Sequence, residues 1–231
     1  NKNIYLVKLN QSTKSIKNLV NILDVFSSKN LKKHSEVAVI GGGTLQDIIA
    51  SACCMYFRGL KWIFVPTTVL SQGDSCVGSK TSIDSENSKN QYGFFYPPKK
   101  ILACKEFLTT LDFIELISGF GDILHYLLPY NSGISGLKQL IKSLNNSESM
   151  VDLASNLSQK AMFVKSKMVE IDEFDTFERY IFNYGHTFGH SLEKSSDKYL
   201  PHGVGVLFGI LIANSLSKIK ECLKEQNNLI E

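Results

Sequence analysis

The chain has 231 residues, 43% apolar and 20% charged, which excludes a disordered or fibrous polypeptide and leaves room for one large domain or two small ones. A formal charge of +3 gives no case for a nucleic-acid or membrane partner, whereas a phosphorylated or acidic small molecule needs only a local cationic cluster. Five cysteines (Cys53, Cys54, Cys76, Cys104 and Cys222) are odd in number and lack CxxC spacing, which suits reduced thiols in a cytoplasmic protein rather than disulfides or a zinc ribbon.

Asn1 to Asn10 lack the basic-then-apolar order of a signal peptide, and no apolar run approaches the ~20 residues of a membrane span. No methionine leads the chain, and Ile4-Tyr5-Leu6-Val7 reads at once as a strand, so the sequence is expected to be a fragment. Glu36 to Ile40 is a short apolar run that ends in Gly41-Gly42-Gly43. A helical pattern follows from Leu45 to about Phe57, and Trp62 to Val65 is a second buried strand closed by Pro66-Thr67-Thr68. Strand, glycine turn, helix and strand in this order predict a parallel sheet. Ser79 to Pro98 is polar and reads as a long loop that can hold a hairpin. Beyond residue 108 the apolar spacing predicts helices over Asp112–Leu128, Ile134–Leu144, Met150–Met168, Phe174–Leu192 and Val204–Leu223. The expected division is therefore an α/β half, 1–108, and an all-helical half, 109–231.

Three groups of residues carry chemistry. The Gly41-Gly42-Gly43 turn between strand and helix can bring backbone N–H groups and a helix N-terminus to a pyrophosphate; a tight turn alone would use the same glycines. Asp47 follows four residues after Gly43. In Gly185-His186-Thr187-Phe188-Gly189-His190 the two histidines share one helix face. His202 comes after a loop, and Asp122 sits on an earlier helix. An HxxxH pair is common on helix surfaces, but three histidines within 17 residues, each beside a glycine, point to a divalent metal held by two imidazoles and a carboxylate. The third group, Arg58, Lys80, Lys89, Lys165 and Arg179, lies in glycine-, asparagine- or apolar-rich surroundings where phosphate or carboxylate can be bound.

These pieces, in order, resemble the 3-dehydroquinate synthase family of sugar-phosphate cyclases. The likeness runs through Gly41-Gly42-Gly43-Thr44-Leu45-Gln46-Asp47, Phe57-Arg58-Gly59, Val65-Pro66-Thr67-Thr68 and Asp74-Ser75-Cys76-Val77-Gly78-Ser79-Lys80-Thr81. It continues through Lys89-Asn90-Gln91-Tyr92-Gly93-Phe94-Phe95-Tyr96-Pro97, Phe107-Leu108-Thr109-Thr110-Leu111 and Arg179-Tyr180-Ile181-Phe182-Asn183-Tyr184-Gly185-His186-Thr187. The resemblance implies a partial NAD-binding α/β domain followed by a partial helical metal and substrate domain. It puts Gly42, Gly43, Asp47, Thr67, Thr68, Asp74, Lys89, Phe107 and Thr110 on NAD. It puts Asp122, His186 and His202 on a divalent metal, zinc or cobalt. Lys80, Asn90, Lys165, Arg179, Asn183 and His190 fall on substrate-binding and catalytic positions, and Arg58 on one supplied across a homodimer interface. The implied reaction is transient oxidation of a sugar phosphate, phosphate elimination, re-reduction and intramolecular aldol closure, with His190 as proton shuttle.

The chain departs from that pattern. Asp122 stands where the family carries glutamate, His125 replaces a lysine, Val204 replaces a glutamate after the last metal-ligand histidine, and Asn10-Gln11 replaces a Gly-Glu pair before Lys14. Asp122 suits a related metal-dependent polyol or alcohol dehydrogenase, while Lys80, Lys89-Asn90 and the Arg179–Asn183–His186 spacing suit the cyclases. Lys165, Arg179 and Asn183 favour a carboxylate-bearing seven-carbon sugar acid phosphate; another sugar phosphate and an inactive fragment stay open.

Overall fold

A computed structural model describes residues 4–8, 13–128, 131–143, 147–197 and 199–216. The chain forms two compact units, one of Asn1–Thr67 with Gly78–Ala103 and one of Thr68–Val77 with Cys104–Glu231. The helical unit thus takes in Thr68–Val77, a piece of the first half of the sequence. No helix among the described residues is long and apolar enough to cross a membrane.

In the first unit, Ser15 caps α1 (Ile16–Ser28), its hydroxyl accepting from the Asn18 N–H, and the helix buries Leu19, Ile22 and Phe26 at helical spacing. Strands β1 (Glu36–Gly41) and β2 (Lys61–Pro66) pair in parallel from Glu36↔Lys61 to Gly41↔Pro66, joined by α2 (Gly43–Met55). This is the expected parallel unit. A third strand, β3 (Lys100–Ile101), pairs in parallel with β2 and gives the order β1-β2-β3. Along β2 the buried side chains alternate, with Trp62 and Phe64 pointing into the core. The polar stretch after Gly78 carries two isolated antiparallel bridges, Lys80↔Phe95 and Ile83↔Tyr92, a loose hairpin anchored by buried Ile83. Ile4–Val7 forms no strand: it pairs with none of the described strands, and Ile4, Tyr5 and Leu6 are exposed.

The second unit is built on α3 (Phe113–Leu127), which starts at a capping box between Asp112 and Glu115. Around it lie α4 (Asn131–Ser143), α5 (Ser147–Ile171), α6 (His186–Ser195) and α7 (His202–Leu216). Phe120, Ile123, Leu124 and Leu127 of α3 form one core with Leu153, Leu157 and Ala161 of α5 and Val206 and Ile210 of α7. The continuous helix expected over Phe174–Leu192 is broken. The Asp172 carboxylate accepts from the backbone N–H groups of Thr176, Phe177 and Arg179 at 2.8, 3.1 and 3.1 Å, and these bonds hold it well below the usual carboxylate range. A 3-10 turn (Glu178–Asn183) follows, then Gly185 at φ 82°, and only then α6. The part of the last predicted helix beyond Leu216, with Cys222, lies outside the described residues.

Helices α3, α6 and α7 touch backbone to backbone. A Cβ on Gly203 would lie 1.7 Å from the Ser118 carbonyl oxygen, one on Gly121 2.1 Å from that of Gly203, and one on Gly209 1.9 Å from that of Gly185. None of these can be relieved by turning a side chain. Gly203→Ala is therefore expected to cost at least about 1–3 kcal/mol in urea unfolding. Gly136→Ala, where a Cβ meets only leucine methyls at 3.0 to 3.3 Å, should stay within about 1 kcal/mol of the parent.

Candidate active site

The glycine contacts set three polar side chains against one another. Asp122 on α3 is 2% exposed, and its Oδ1 has no hydrogen-bond partner. His186 opens α6 and His202 opens α7. Asp122, His186 and His202 each offer one ligand atom, and these atoms all lie within 4.8 Å of one another. His202 Nε2 stands 3.4 Å from Asp122 Oδ1. That is long for a hydrogen bond, but two ligands held tetrahedrally at ~2.0–2.1 Å from one ion sit about 3.3–3.4 Å apart. His186 Nδ1 is likewise buried and without a partner. Burial pushes Asp122 well above the usual carboxylate range, with Asp74 and Glu193 adding to the effect. Orphaned oxygen and nitrogen atoms in one pocket, with a carboxylate that resists charge, fit a divalent cation.

Around this set lie further groups. Exposed His190, four residues along α6, packs against both of these imidazoles, with ring centroids 5.5 Å from His186 and 5.3 Å from His202. On the other side of His202, Nδ1 pairs with Glu193 Oε1 at 2.7 Å. His125, one turn after Asp122, is buried with both ring nitrogens unpartnered, its ring edge-on to His186 at 4.8 Å. Burial first, then the neighbouring His186, lowers its pKa to about 3; burial with His202 and His190 lowers that of His186 to about 4.

In the same unit Lys165 and Tyr126 both hydrogen-bond Asp74 Oδ1, and Lys165 donates to the Asp74 carbonyl at 3.0 Å. Burial opposes charge on Asp74, but the Lys165 ammonium and the Tyr126 hydroxyl prevail and hold its carboxyl below the usual range. Arg179 is buried; its guanidinium donates to the carbonyls of Asp172 and Glu173 and faces Asp175 at 3.6 Å. Thr68 and Ser71 cap one another, with Thr68 Oγ1 accepting from the Ser71 N–H at 3.1 Å. Exposed Thr110 turns its hydroxyl back to the Phe107 carbonyl at 2.8 Å, and Asn183 is exposed at the end of its 3-10 turn.

The other named residues belong to the first unit. Gly42 is the N-cap of α2, which has no side-chain cap bond, and Gly43 is its first residue. The backbone N–H of Thr67 donates to the Gly41 carbonyl at 3.0 Å. Asp47 meets Lys14 Nζ at 2.7 Å and accepts from the Ser82 hydroxyl at 2.7 Å, while Lys14 also donates to Asn90 Oδ1 at 2.6 Å. Asp47 and Asn90 are therefore brought together, through Lys14. Lys80 and Lys89 are exposed on the polar stretch. Arg58, exposed, follows Phe57 in left-handed backbone, φ 63° after 51°, a conformation that side chains adopt at a cost. Ser82, Tyr126 and Glu193 are missing from the residues picked out by motif, and Lys14 enters there only as the lysine after Asn10-Gln11, with no role. Glu193 alone had a readable signal, since it shares the helix face of His186 and His190 at seven and three residues' distance.

The two depressed imidazoles predict a pH dependence for the protein stripped of metal. Unfolded, each takes up its proton near 6.5; folded, His186 and His125 refuse it until about 4 and about 3. Stability is thus full above 6.5 and lost as pH falls toward those values, while Asp122, raised in the fold, works in the opposite direction. His186, Asp74 and Lys165 surround His125. With His125→Phe the loss between pH 6.5 and 4 should be shallower in denaturant titrations; an unchanged slope would remove His125 from this account.

Residues 4–118 match the family described as 3-dehydroquinate synthase N-terminal, and 127–229 the one described as 3-dehydroquinate synthase C-terminal. The 3-dehydroquinate synthase of Clostridium tetani is 33% identical over 223 residues, which cover 94% of this chain and 59% of that protein. The chain spans about 60% of the length of the curated relatives it matches. Among solved structures, a 2-epi-5-epi-valiolone synthase from Streptomyces hygroscopicus with NAD+ and Zn2+ bound has a TM-score of 0.83 at 21% identity, covering 97% of this chain and 64% of that one. A 2-deoxy-scyllo-inosose synthase complexed with carbaglucose-6-phosphate, NAD+ and Co2+ has a TM-score of 0.82 at 22% identity, covering 96% and 63%. These structures share the fold. With both of its halves matched in order, the chain belongs to the 3-dehydroquinate synthase family.

Proposed function

We propose that the protein is an NAD- and divalent-metal-dependent sugar-phosphate cyclase, a phosphate-eliminating lyase of the 3-dehydroquinate synthase type. The observation that carries this reading is the convergence of Asp122, His186 and His202 on one cation-sized gap lined by unpartnered atoms. It is supported by the NAD+ with Zn2+ or Co2+ in the two structural neighbours, one of them with carbaglucose-6-phosphate.

When bound, the nicotinamide supplies a hydride acceptor that is restored within the cycle, and the cation polarises a substrate oxygen. The chain's own residues supply the rest. Exposed His190, beside both imidazole ligands, is placed to pass a proton between substrate and solvent. Lys165 and Tyr126 both bind Asp74 Oδ1, which leaves Oδ2 for a cofactor hydroxyl. Exposed Lys80 offers a cation to phosphate, and Asn90 an amide held by Lys14. Gly42 and Gly43 open an α2 end without a side-chain cap to an anion. Asp47, Thr67, Thr68, Lys89, Phe107 and Thr110 complete the proposed NAD contacts. A homodimer with Arg58 at the partner's site and a cytoplasmic setting complete the reading; exposed Arg58 supports the first, and the free thiols of Cys53, Cys54, Cys76 and Cys104 the second.

One observation favours a second substrate. The cations expected to meet a substrate carboxylate already face acids of their own unit, Lys165 with Asp74 and Arg179 with Asp175. A sugar phosphate without a carboxylate fits that balance of charge. Phosphate release with NAD and added zinc or cobalt should therefore be compared for the seven-carbon 2-keto-3-deoxy acid phosphate, sedoheptulose 7-phosphate and glucose 6-phosphate. Release that needs both cofactors, without NADH build-up, is expected from one of them. NADH accumulating on simple polyols, without phosphate release, would replace the cyclase by a dehydrogenase. Lys80→Ala should raise KM for the productive sugar phosphate about tenfold, one charged hydrogen bond's worth, and leave NAD affinity within about twofold; equal losses would remove its phosphate role.

A further inference from the structure

Glu193 is the acid nearest the metal-binding set to which no role has yet been given. We propose that it is the positioning carboxylate of this centre: it accepts the Nδ1–H of His202, fixes that ring's tautomer and turns Nε2 toward the cation. The inference rests on the metal site proposed above and goes beyond its three ligands.

Distances separate this role from the alternative. Glu193, His190 and His202 also bring ligand atoms within 4.8 Å of one another, and the alternative is a second cation among them. Its two closest donors, His202 Nδ1 and Glu193 Oε1, are 2.7 Å apart. That is the spacing of a strong N–H···O⁻ bond and too short for two ligands of one ion, which need about 3.3 Å. On the opposite edge of the same ring, Nε2 stands 3.4 Å from Asp122 Oδ1, the spacing of co-ligands. One imidazole therefore makes a hydrogen bond on one side and faces the cation on the other, the arrangement in which an outer carboxylate orients a metal-bound histidine and raises its basicity.

The surroundings are built for this reach. Glu193 follows His190 by three residues and His186 by seven, so the acid projects from the same face of α6 as the ligand. It crosses to α7 over Gly205, where a Cβ would come within 3.2 Å of Oε1 and 3.3 Å of Cγ. Among the described residues its ion pair is with His202 alone, not with a lysine or arginine. The side chain is 22% exposed, so the bond to His202 is not an idle solvated contact.

The test uses the full-length protein and Co2+ affinity measured by competition with a chromophoric chelator, beside the melting temperature of the metal-free form. Wild-type binding is measured first: no Co2+ bound would remove the metal centre and this role with it. Given wild-type binding, Glu193→Ala should weaken Co2+ affinity about 10- to 100-fold, with the metal-free melting temperature within about 3 °C of the parent, a change worth less than about 1 kcal/mol. Glu193→Gln, which keeps size and a hydrogen-bond acceptor, should recover most of that loss. Wild-type affinity in Glu193→Ala would overturn the role while leaving the three ligands intact. So would two Co2+ per chain falling to one in Glu193→Ala, which is the result of a second cation site. Should Glu193→Ala fail to fold, Glu193→Leu, which fills the place but removes the acceptor, and Gly205→Ala, which crowds the acid, carry the same comparison: unchanged affinity in both overturns it.

Discussion

Helix α7 packs closely on α3 and on the start of α6 because glycine backbones lie in contact where any side chain would collide. Gly121 against Gly203, Gly203 against Ser118 and Gly185 against Gly209 leave no room for a Cβ. Each contact has a candidate ligand beside it in sequence: Asp122 after Gly121, His186 after Gly185 and His202 before Gly203. The short reach of an aspartate makes this approach all the more necessary. The glycines are thus part of the site's geometry, although they carry no chemistry of their own.

The same closeness creates an electrostatic demand. Asp122 Oδ1, His186 Nδ1 and both ring nitrogens of His125 are buried without partners, and each such group costs on the order of 1–3 kcal/mol. A fold that tolerates several together reserves the place for something that satisfies them. A divalent cation would satisfy the acid and His186 at once, and the glycine contacts hold those groups at a spacing that suits one. Nearby, Lys165 and Tyr126 discharge a different demand by bonding Asp74 directly. One cluster has no partner within the chain for its polar atoms and the other supplies its own, which is why burial has opposite outcomes at Asp122 and Asp74.

Much of this was legible before any coordinates. The parallel unit of β1, α2 and β2 follows from two apolar runs and a glycine turn, and HxxxH places His186 and His190 on one helix face. What was not legible depends on contacts distant in sequence. Apolar spacing over Phe174–Leu192 reads as one helix, but Asp172 takes up the backbone N–H groups of the next residues and Gly185 turns left-handed, so α6 begins at His186. Ile4–Val7 has strand composition but joins none of the described strands. Two-residue β3 is too short to show a period, and it exists only because β2 offers an edge. Lys14 is unremarkable by composition; only folding brings it between Asp47 and Asn90. The meeting of Asp122 with the histidines could be suspected from the glycines beside them, but their distances belong to helix packing.

The most direct test of the central claim is X-ray absorption at the metal edge of the zinc-loaded full-length protein. A single zinc bound by two imidazole nitrogens and oxygen ligands at ~2.0–2.1 Å, lost in Gly203→Ala, is the predicted result. Zinc bound through sulfur, or by oxygen alone, or an unaltered spectrum in Gly203→Ala would contradict the claim that close-packed glycines assemble Asp122, His186 and His202 into one metal centre.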